Sequence, residues 1–331
     1  MSSDNYRFAG FETNAEKGSI PYVTREFYKS EFIEEIELND YKMPLGETLK
    51  VFHRLPKKAN SLTDFDAVIF PSLQYAAAAP YEDIFSVFYI HDLYGFTKEK
   101  NILSTLVHGK ALQNISNFDL VIANSNHTRN NLESILHDEV DIEVVEPGID
   151  SFYLENCSVQ RDEEMLLYVG SFQDRKNTDF LLDVLDKLPS SYELICAGRY
   201  YSECKKNDFL NYAEDKGVND RVSIIGECSK EKLRELYSSA GFYFHPAKKG
   251  GWEITPLEAS ACGARVIVNS SIPSVEALDR NHIVFDQFDS SGLAEKIEDR
   301  PDYGFDNDAR TWHDAREDLS SKIEKKLKKK P

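Results

Sequence analysis

Long apolar runs, paired cysteines and positive charge are what this chain has least of. No apolar stretch reaches the ~18 residues that a membrane span needs. The nearest, Ala76 to Ile90, is interrupted by Pro80, Glu82 and Asp83, and the opening MSSDNYR lacks the apolar core of a signal peptide. A cytoplasmic protein is therefore expected. The five cysteines, Cys157, Cys196, Cys204, Cys228 and Cys262, are odd in number and never at CxxC spacing, which argues against a disulfide framework and a zinc site. Lys and Arg number 39 against 57 Asp and Glu, and the formal charge of −18 opposes a nucleic-acid partner.

One segment runs against that balance. Lys322, Lys325, Lys326, Lys328, Lys329 and Lys330, opposed only by Glu324, make the last turns basic. Their first reading is a solvated helix end whose cations suit the negative pole of the dipole. The alternative is a weak peripheral hold on anionic lipid, worth about 1 kcal/mol per Lys, which would suit a lipid-linked acceptor.

What is present is a repeated α/β pattern in 331 residues, long enough for two domains. In the second half, strands are predicted at MLLYVG, YELICAG, RVSIIG, GFYFHP, RVIVN and HIVF, with helix-period segments between them. This alternation implies βαβ crossovers and a parallel, Rossmann-like sheet. The first half alternates less cleanly, with strands at LKVFH, DAVIFP, IFSVFYIH, DLVIAN and DIEVVE, and helices around 22–33, 98–117 and 126–137. The expected division is 1–155, 156–305 and a final helix with basic tail, 306–331, the polar stretch Asp150 to Glu164 serving as linker.

Two stretches carry chemistry. In GGWEITPLEASACGARVIV, residues 250–268, Thr255 reads as a helix N-cap, Pro256 as the first helical residue, Glu258 as the capping-box partner and Gly263 as the left-handed residue after the helix. In Tyr168-Val-Gly170-Ser-Phe-Gln-Asp-Arg175-Lys176-Asn177 a strand ends in Gly, and a short loop delivers two cations. Cations and backbone N–H groups are what a diphosphate leaving group requires.

The first stretch resembles the signature of GT-B glycosyltransferases, in particular the retaining group known as family 4, or glycosyltransferase group 1. That signature runs Glu-Gly-Phe-Gly-Leu-Pro-x-Leu-Glu-Ala-x-Ala-x-Gly-x-Pro-Val-Ile, and Gly251, Trp252, Leu257, Glu258, Ala259, Ala261, Gly263, Val266 and Ile267 fall on it. The resemblance implies two Rossmann-like domains facing a cleft, with Glu258 accepting hydrogen bonds from the ribose of a nucleotide sugar and Gly251, Trp252, Glu253, Ile254 and Thr255 along the donor. The family's first Glu, near the transferred sugar, is here Gly250; Glu253, Thr255 and Arg265 also depart from the pattern. Glu253 is the candidate to reach the space of that missing carboxylate from another backbone position. The second stretch is similar to the family's Gly-x-x-x-x-Arg-Lys-Asn loop, which places Arg175 and Lys176 on the diphosphate and implies no metal.

Lesser matches follow. His91-Asp92-Leu93 resembles a family segment whose His faces the donor sugar; a lone His ending a strand is otherwise structural. Asn124-Ser125-x-x-Thr128-Arg129 resembles a strand-to-helix turn, with Ser125 as helix cap and Arg129 pairing a nearby acid. Gly198, before Arg199, resembles another strand end with close backbone approach, and Gly226-Glu227-Cys228 the segment whose backbone receives the base. Gly10 and Gly18 are candidates for an N-terminal Gly loop, and Trp312 for a packing anchor in a last helix that braces the first domain.

The expected function is retaining transfer of a hexose, with a slight preference for mannose from GDP-mannose, onto a hydroxyl of a glycan or lipid-linked saccharide. The alternatives are a non-catalytic nucleotide- or glycan-binding scaffold, with Gly250 marking decayed catalysis, and a GT-B sugar-nucleotide epimerase.

Overall fold

A computed structural model of the protein describes residues 6–11, 19–36, 56–71, 73–79, 81–91, 102–136, 140–155, 157–198, 203–278, 282–299 and 309–329. The chain divides into two compact units, Met1–Gly148 with Arg310–Pro331, and Ile149–Ala309.

In the first unit, β1 (Phe8–Phe11), β2 (Ile33–Ile36), β3 (Ala67–Phe70), β4 (Ser86–Ile90), β5 (Leu120–Ala123) and β6 (Ile142–Val144) form a parallel sheet in the order β2-β1-β3-β4-β5-β6. The last four fall on predicted runs, and every residue of β3, β4 and β5 is buried, as parallel strands covered on both faces require. The predicted strand LKVFH lies outside the described residues.

β1 and β2 were not predicted. The helix expected around 22–33 is Ser19–Tyr28, and residues 33–36 are an edge strand in which only Ile33 is buried. Glu34 and Glu35 favour helix locally, but pairing with β1 decides the backbone. Gly10 is not in a loop: it lies within β1, where an added Cβ would run into the ring of Tyr28, whose hydroxyl donates to the Phe11 carbonyl at 2.9 Å. Gly18 lies outside the described residues.

The helix Trp312–Leu327 belongs to this unit. Thr311 and Asp314 close a capping box at its start. Trp312 is buried, edge-on to Tyr22 and Phe27 at 6.0 and 5.4 Å, and Arg316 donates to the Glu26 carbonyl at 3.0 Å, so the Trp is a packing anchor. Several basic residues of its last turns are engaged within the unit: Lys322 with Asp318 and the Val144 carbonyl, Lys326 with Asp141, Lys328 with Glu324. No helix among the described residues is long and apolar enough to cross a membrane.

In the second unit, β7 (Asp162–Val169), β8 (Glu193–Ala197), β9 (Val222–Gly226), β10 (Ala240–His245), β11 (Arg265–Asn269) and β12 (Ile283–Phe285) form a parallel sheet in the order β12-β11-β10-β7-β8-β9. All six fall on predicted runs. Counted within the unit this is the Rossmann order 3-2-1-4-5-6, with the order reversing between β7 and β10. Alternate residues feed two cores: Leu166, Tyr168, Phe242 and Phe244 on one face, Leu167, Val169, Tyr243 and Val268 on the other.

The stretch 150–164 is less of a linker than its polarity suggests. Asp150 caps the 3-10 turn Ser151–Leu154, accepting from Phe152 N at 2.9 Å, and Tyr153 is buried against Tyr237. β7 already begins at Asp162.

Candidate active site

Three glycines at the carboxyl ends of β7, β8 and β9 stack their backbones directly. Gly170 N donates to the Ala197 carbonyl at 2.9 Å and Gly198 N to the Gly226 carbonyl at 2.7 Å. Gly198 has a φ of +119°, and a Cβ there would stand 2.6 Å from the Gly170 carbonyl oxygen, so no side chain fits. In open parallel sheets ligands bind beyond the carboxyl ends of strands, where the order reverses. Both predicted stretches leave from that place, one after β7 and the other after β10.

After β7 the chain makes a 3-10 turn, Asp174–Lys176, closed by Asn177 in the left-handed region at φ 52°. Arg175 and Lys176 therefore sit in a rigid turn, and the Arg175 carbonyl accepts from Lys248 N at 3.0 Å, tying it to the loop after β10. Lys176 is 6% exposed at its side chain and Arg175 33%. Their common partner is Glu253, whose Oε1 lies 2.7 Å from Lys176 Nζ and 3.1 Å from Arg175 Nη1. Gln173 Oε1 fixes the guanidinium from its other edge, accepting from Nε at 3.0 Å.

Charge balance explains the titration of this cluster. Burial lowers the pKa of Lys176, and Glu253 opposes that shift. For Glu253 burial works upward, but Lys176, His245 and Arg175 outweigh it and hold the carboxyl at about 2. His245, the last residue of β10, is fully buried and stays neutral, its pKa brought down to about 3 by burial and the neighbouring cations. Its Nδ1 lies 3.3 Å from the Tyr243 hydroxyl, and its Nε2 has no hydrogen-bond partner among the described residues. His245, Tyr243 and Gln173 were not singled out from the sequence. The sequence signal for His245 is the same as for His91, a His at the carboxyl end of an apolar strand.

Glu258 is placed differently from expectation. The helix runs Thr255–Ala261 with Ile254 at the N-cap and no side-chain cap bond, so Thr255 and Glu258 do not form a capping box. Tertiary partners take both: Tyr243 donates to Thr255 Oγ1 at 2.7 Å and Tyr237 to Glu258 Oε2 at 3.2 Å. Gly263, at φ 91°, ends the helix as predicted, with Gly263 N bonded to the Ser260 carbonyl and Ala264 N to that of Ala259. Burial raises Glu258 to about 7, against the lowering effect of the Tyr237 bond.

Among the remaining candidates, Trp252 is buried with its Nε1 unpartnered among the described residues; Gly251, Ile254 and Thr255 are half-buried. Glu227 is exposed, Cys228 Sγ lies 3.6 Å from the Gly226 carbonyl, and Ser229 caps the helix Lys230–Ser239. His91 follows β4 in the first unit, buried, with Nε2 3.3 Å from Thr24 Oγ1 and its carbonyl accepting from Asn124. Burial keeps it neutral, with a pKa of about 3. Ser125 caps the helix Asn126–Ile135, and Arg129 pairs with Glu133 at 3.7 Å. Asp92, Leu93 and Arg199 lie outside the described residues. Among the described residues no three acidic, His or Cys side chains gather as a metal site.

A parallel doubly wound unit with a cationic turn after its first strand and a buried acid after its fourth belongs to the class of open α/β folds that bind ligands where the strand order reverses. Comparison with known proteins narrows it. Residues 155–300 match the family model of glycosyl transferases group 1, and residues 30–151 that of glycosyltransferase family 4. Among curated relatives, the D-inositol 3-phosphate glycosyltransferase of Mycolicibacterium smegmatis is 28% identical over 170 residues, covering 51% of this chain and 37% of that protein. That of Mycobacteroides abscessus is 29% identical over 134 residues, covering 40% and 30%. The matched region is thus about a third of those relatives' length.

Solved structures match along the whole chain. Anabaena HepE in complex with UDP superposes with a TM-score of 0.72 at 15% identity, covering 98% of both chains. The lipopolysaccharide outer core galactosyltransferase WaaB superposes with 0.73 at 16% identity, covering 97% and 99%. The fold is GT-B, and the chain belongs to the group 1 glycosyltransferases.

Proposed function

We propose that the protein is a retaining glycosyltransferase that moves a hexose from a nucleoside-diphosphate sugar to a hydroxyl of a glycan or lipid-linked saccharide. The observation that carries this reading is the pair Arg175 and Lys176 in a rigid turn after β7, beside the loop after β10 that leads to Glu258. Breaking the bond between sugar and diphosphate leaves negative charge on the departing oxygen. A guanidinium and an ammonium held in place stabilise that charge without reorganising at the moment of reaction. Retention follows if the acceptor attacks from the face that the diphosphate leaves, the departing oxygen taking the acceptor proton.

Glu258, when ionised, accepts from the ribose hydroxyls, and the close-set backbones at Gly170, Gly198 and Gly226 leave room for the nucleotide. His91, neutral at the end of β4 in the first unit, has a part in donor binding only on the family resemblance. HepE has been crystallised with UDP and with UDP-glucose, which supports a uridine donor alongside the GDP-mannose suggested by the Arg-Lys-Asn loop.

The test is thermal-shift titration against UDP, GDP, ADP and their sugars, with Glu258→Ala and Arg175→Ala as controls. Ligand at 100 times its Kd should stabilise by about 2.7 kcal/mol. A selective response lost in both variants is expected; silence toward every nucleotide would overturn the reading. The anomeric configuration of the product, read by NMR, then decides retention. Gly250 favours the second reading, a non-catalytic nucleotide-binding protein, which predicts the same shifts without any transfer or hydrolysis.

A further inference from the structure

The cations assigned to the diphosphate already have an anion. Glu253 reaches back from the loop after β10 and places Oε1 within 2.7 Å of Lys176 Nζ and 3.1 Å of Arg175 Nη1. Its side chain is 16% exposed, and Lys176 has no other ion-pair partner among the described residues. A carboxylate bridging an ammonium and a guanidinium presents the charge and acceptor geometry that a phosphate oxygen would present.

The carboxylate can stand there because residue 250 has no side chain. A Cβ on Gly250 would lie 2.6 Å from Glu253 Oε1, 3.3 Å from its Cγ and 3.4 Å from its Cδ. Any other residue at 250 would push the carboxylate aside, and the free end of a flexible side chain can move. Gly250 and Glu253 are therefore one device: the missing side chain opens the space that the acid fills.

We infer that Glu253 is an internal occupant of the diphosphate subsite, holding Arg175 and Lys176 in the empty protein and competing with an incoming diphosphate for them. This rests on the assignment of those two cations to the diphosphate. A diphosphate must share the cations with Glu253 or displace it, and in either case meets a fixed negative charge. The device sets the affinity for donor and diphosphate product below what the two cations alone would give, which favours release of the product. In the empty site it also keeps an ammonium that is nearly out of water from being left without a counter-charge.

The experiment is calorimetric titration of inorganic pyrophosphate and of UDP into the intact protein and three variants. Glu253→Gln keeps the shape and removes the charge, and pyrophosphate should bind about tenfold tighter or better. Gly250→Ala keeps every charge and only dislodges the carboxylate; it should tighten pyrophosphate binding in the same direction and to a lesser degree. Both gains should shrink as salt is raised, as charge competition requires.

Unchanged or weaker pyrophosphate binding in folded Glu253→Gln overturns the inference, because a merely structural acid loses affinity when its cations go slack. If Glu253→Gln does not fold, Gly250→Ala decides by the same criterion. Arg175→Ala tests the underlying assignment separately: should it bind pyrophosphate as the parent does, these cations are not the diphosphate site, and the inference falls with that reading.

Discussion

Glu253 and Glu258 stand five positions apart in the same loop and helix, both largely withdrawn from water, and their acidities move in opposite directions. Glu253 is held at about 2 and Glu258 is raised to about 7. Burial pushes both upward. The difference is company: Glu253 has Lys176, His245 and Arg175 around it, whereas Glu258 has the carboxylate of Asp150 adding to burial, and the Tyr237 hydrogen bond and Lys230 oppose the rise without cancelling it. Two carboxylates of one motif are thereby given different tasks, one a permanent anion and the other a group that ionises near neutrality.

The opposite signs carry into stability. For Glu258 the fold favours the protonated form, so its contribution is full below the unfolded pKa and is lost as pH rises through about 7. For Glu253 the contribution is present above the unfolded pKa and is lost only as pH falls toward about 2.

The hardest blow to this contrast is Lys176→Met. It leaves the Glu253 carboxylate with Arg175 alone, and unfolding in urea should show a loss of about 3 kcal/mol. A loss well below 1 kcal/mol would mean that the buried pair contributes little and that Glu253 is not held by Lys176. Next in size is Arg175→Ala, which should weaken pyrophosphate and UDP alike by about a hundredfold in calorimetry. Equal affinity in parent and variant would remove the cationic subsite.

Glu258→Gln should separate the two carboxylates cleanly. UDP binding is expected to fall about tenfold, the worth of a lost charge-assisted hydrogen bond, while pyrophosphate, which has no ribose, binds as before. The same residue sets a pH dependence. Only the ionised form accepts from two hydroxyls, so UDP affinity of the parent protein should rise about tenfold between pH 6 and pH 8 and stay flat in Glu258→Gln. A flat profile in the parent would show that Glu258 does not titrate in this window. The smallest effect expected is from Thr311→Ala, far from both acids in sequence and in the other unit; losing the capping box should cost about 1 kcal/mol and leave every ligand affinity unmoved.

The second unit was almost fully legible. Its central strands are apolar runs such as GFYFH and RVIVN, bounded by Gly, Pro and Asn, and a strand buried on both faces needs no subtler signal. In the first unit, FAGF and IEEI were missed for opposite reasons. β1 is four residues long with a glycine inside, and β2 is an edge strand whose two Glu residues read locally as helix. Both exist because they pair with each other and, through β1, with β3.

In the site, residue identity pointed to Arg175, Lys176 and Glu258, but their partners could not be read. Tyr237 lies on a helix 21 positions before Glu258, and Glu253 lies 77 positions after Lys176. The spacing Thr255-x-x-Glu258 even suggested a wrong partner, since a capping box is the local option and two buried tyrosines proved the stronger claimants.

By itself the sequence determined the class of this protein: alternating apolar runs and helical periods dictate parallel sheets, and two short motifs in the right order mark the family. Only the tertiary structure decided the charge state of each acid, which cations Glu253 holds, and what the missing side chain at residue 250 leaves room for. Periodicity is a property of neighbours along the chain, whereas pKa, pairing and free space are properties of neighbours across it.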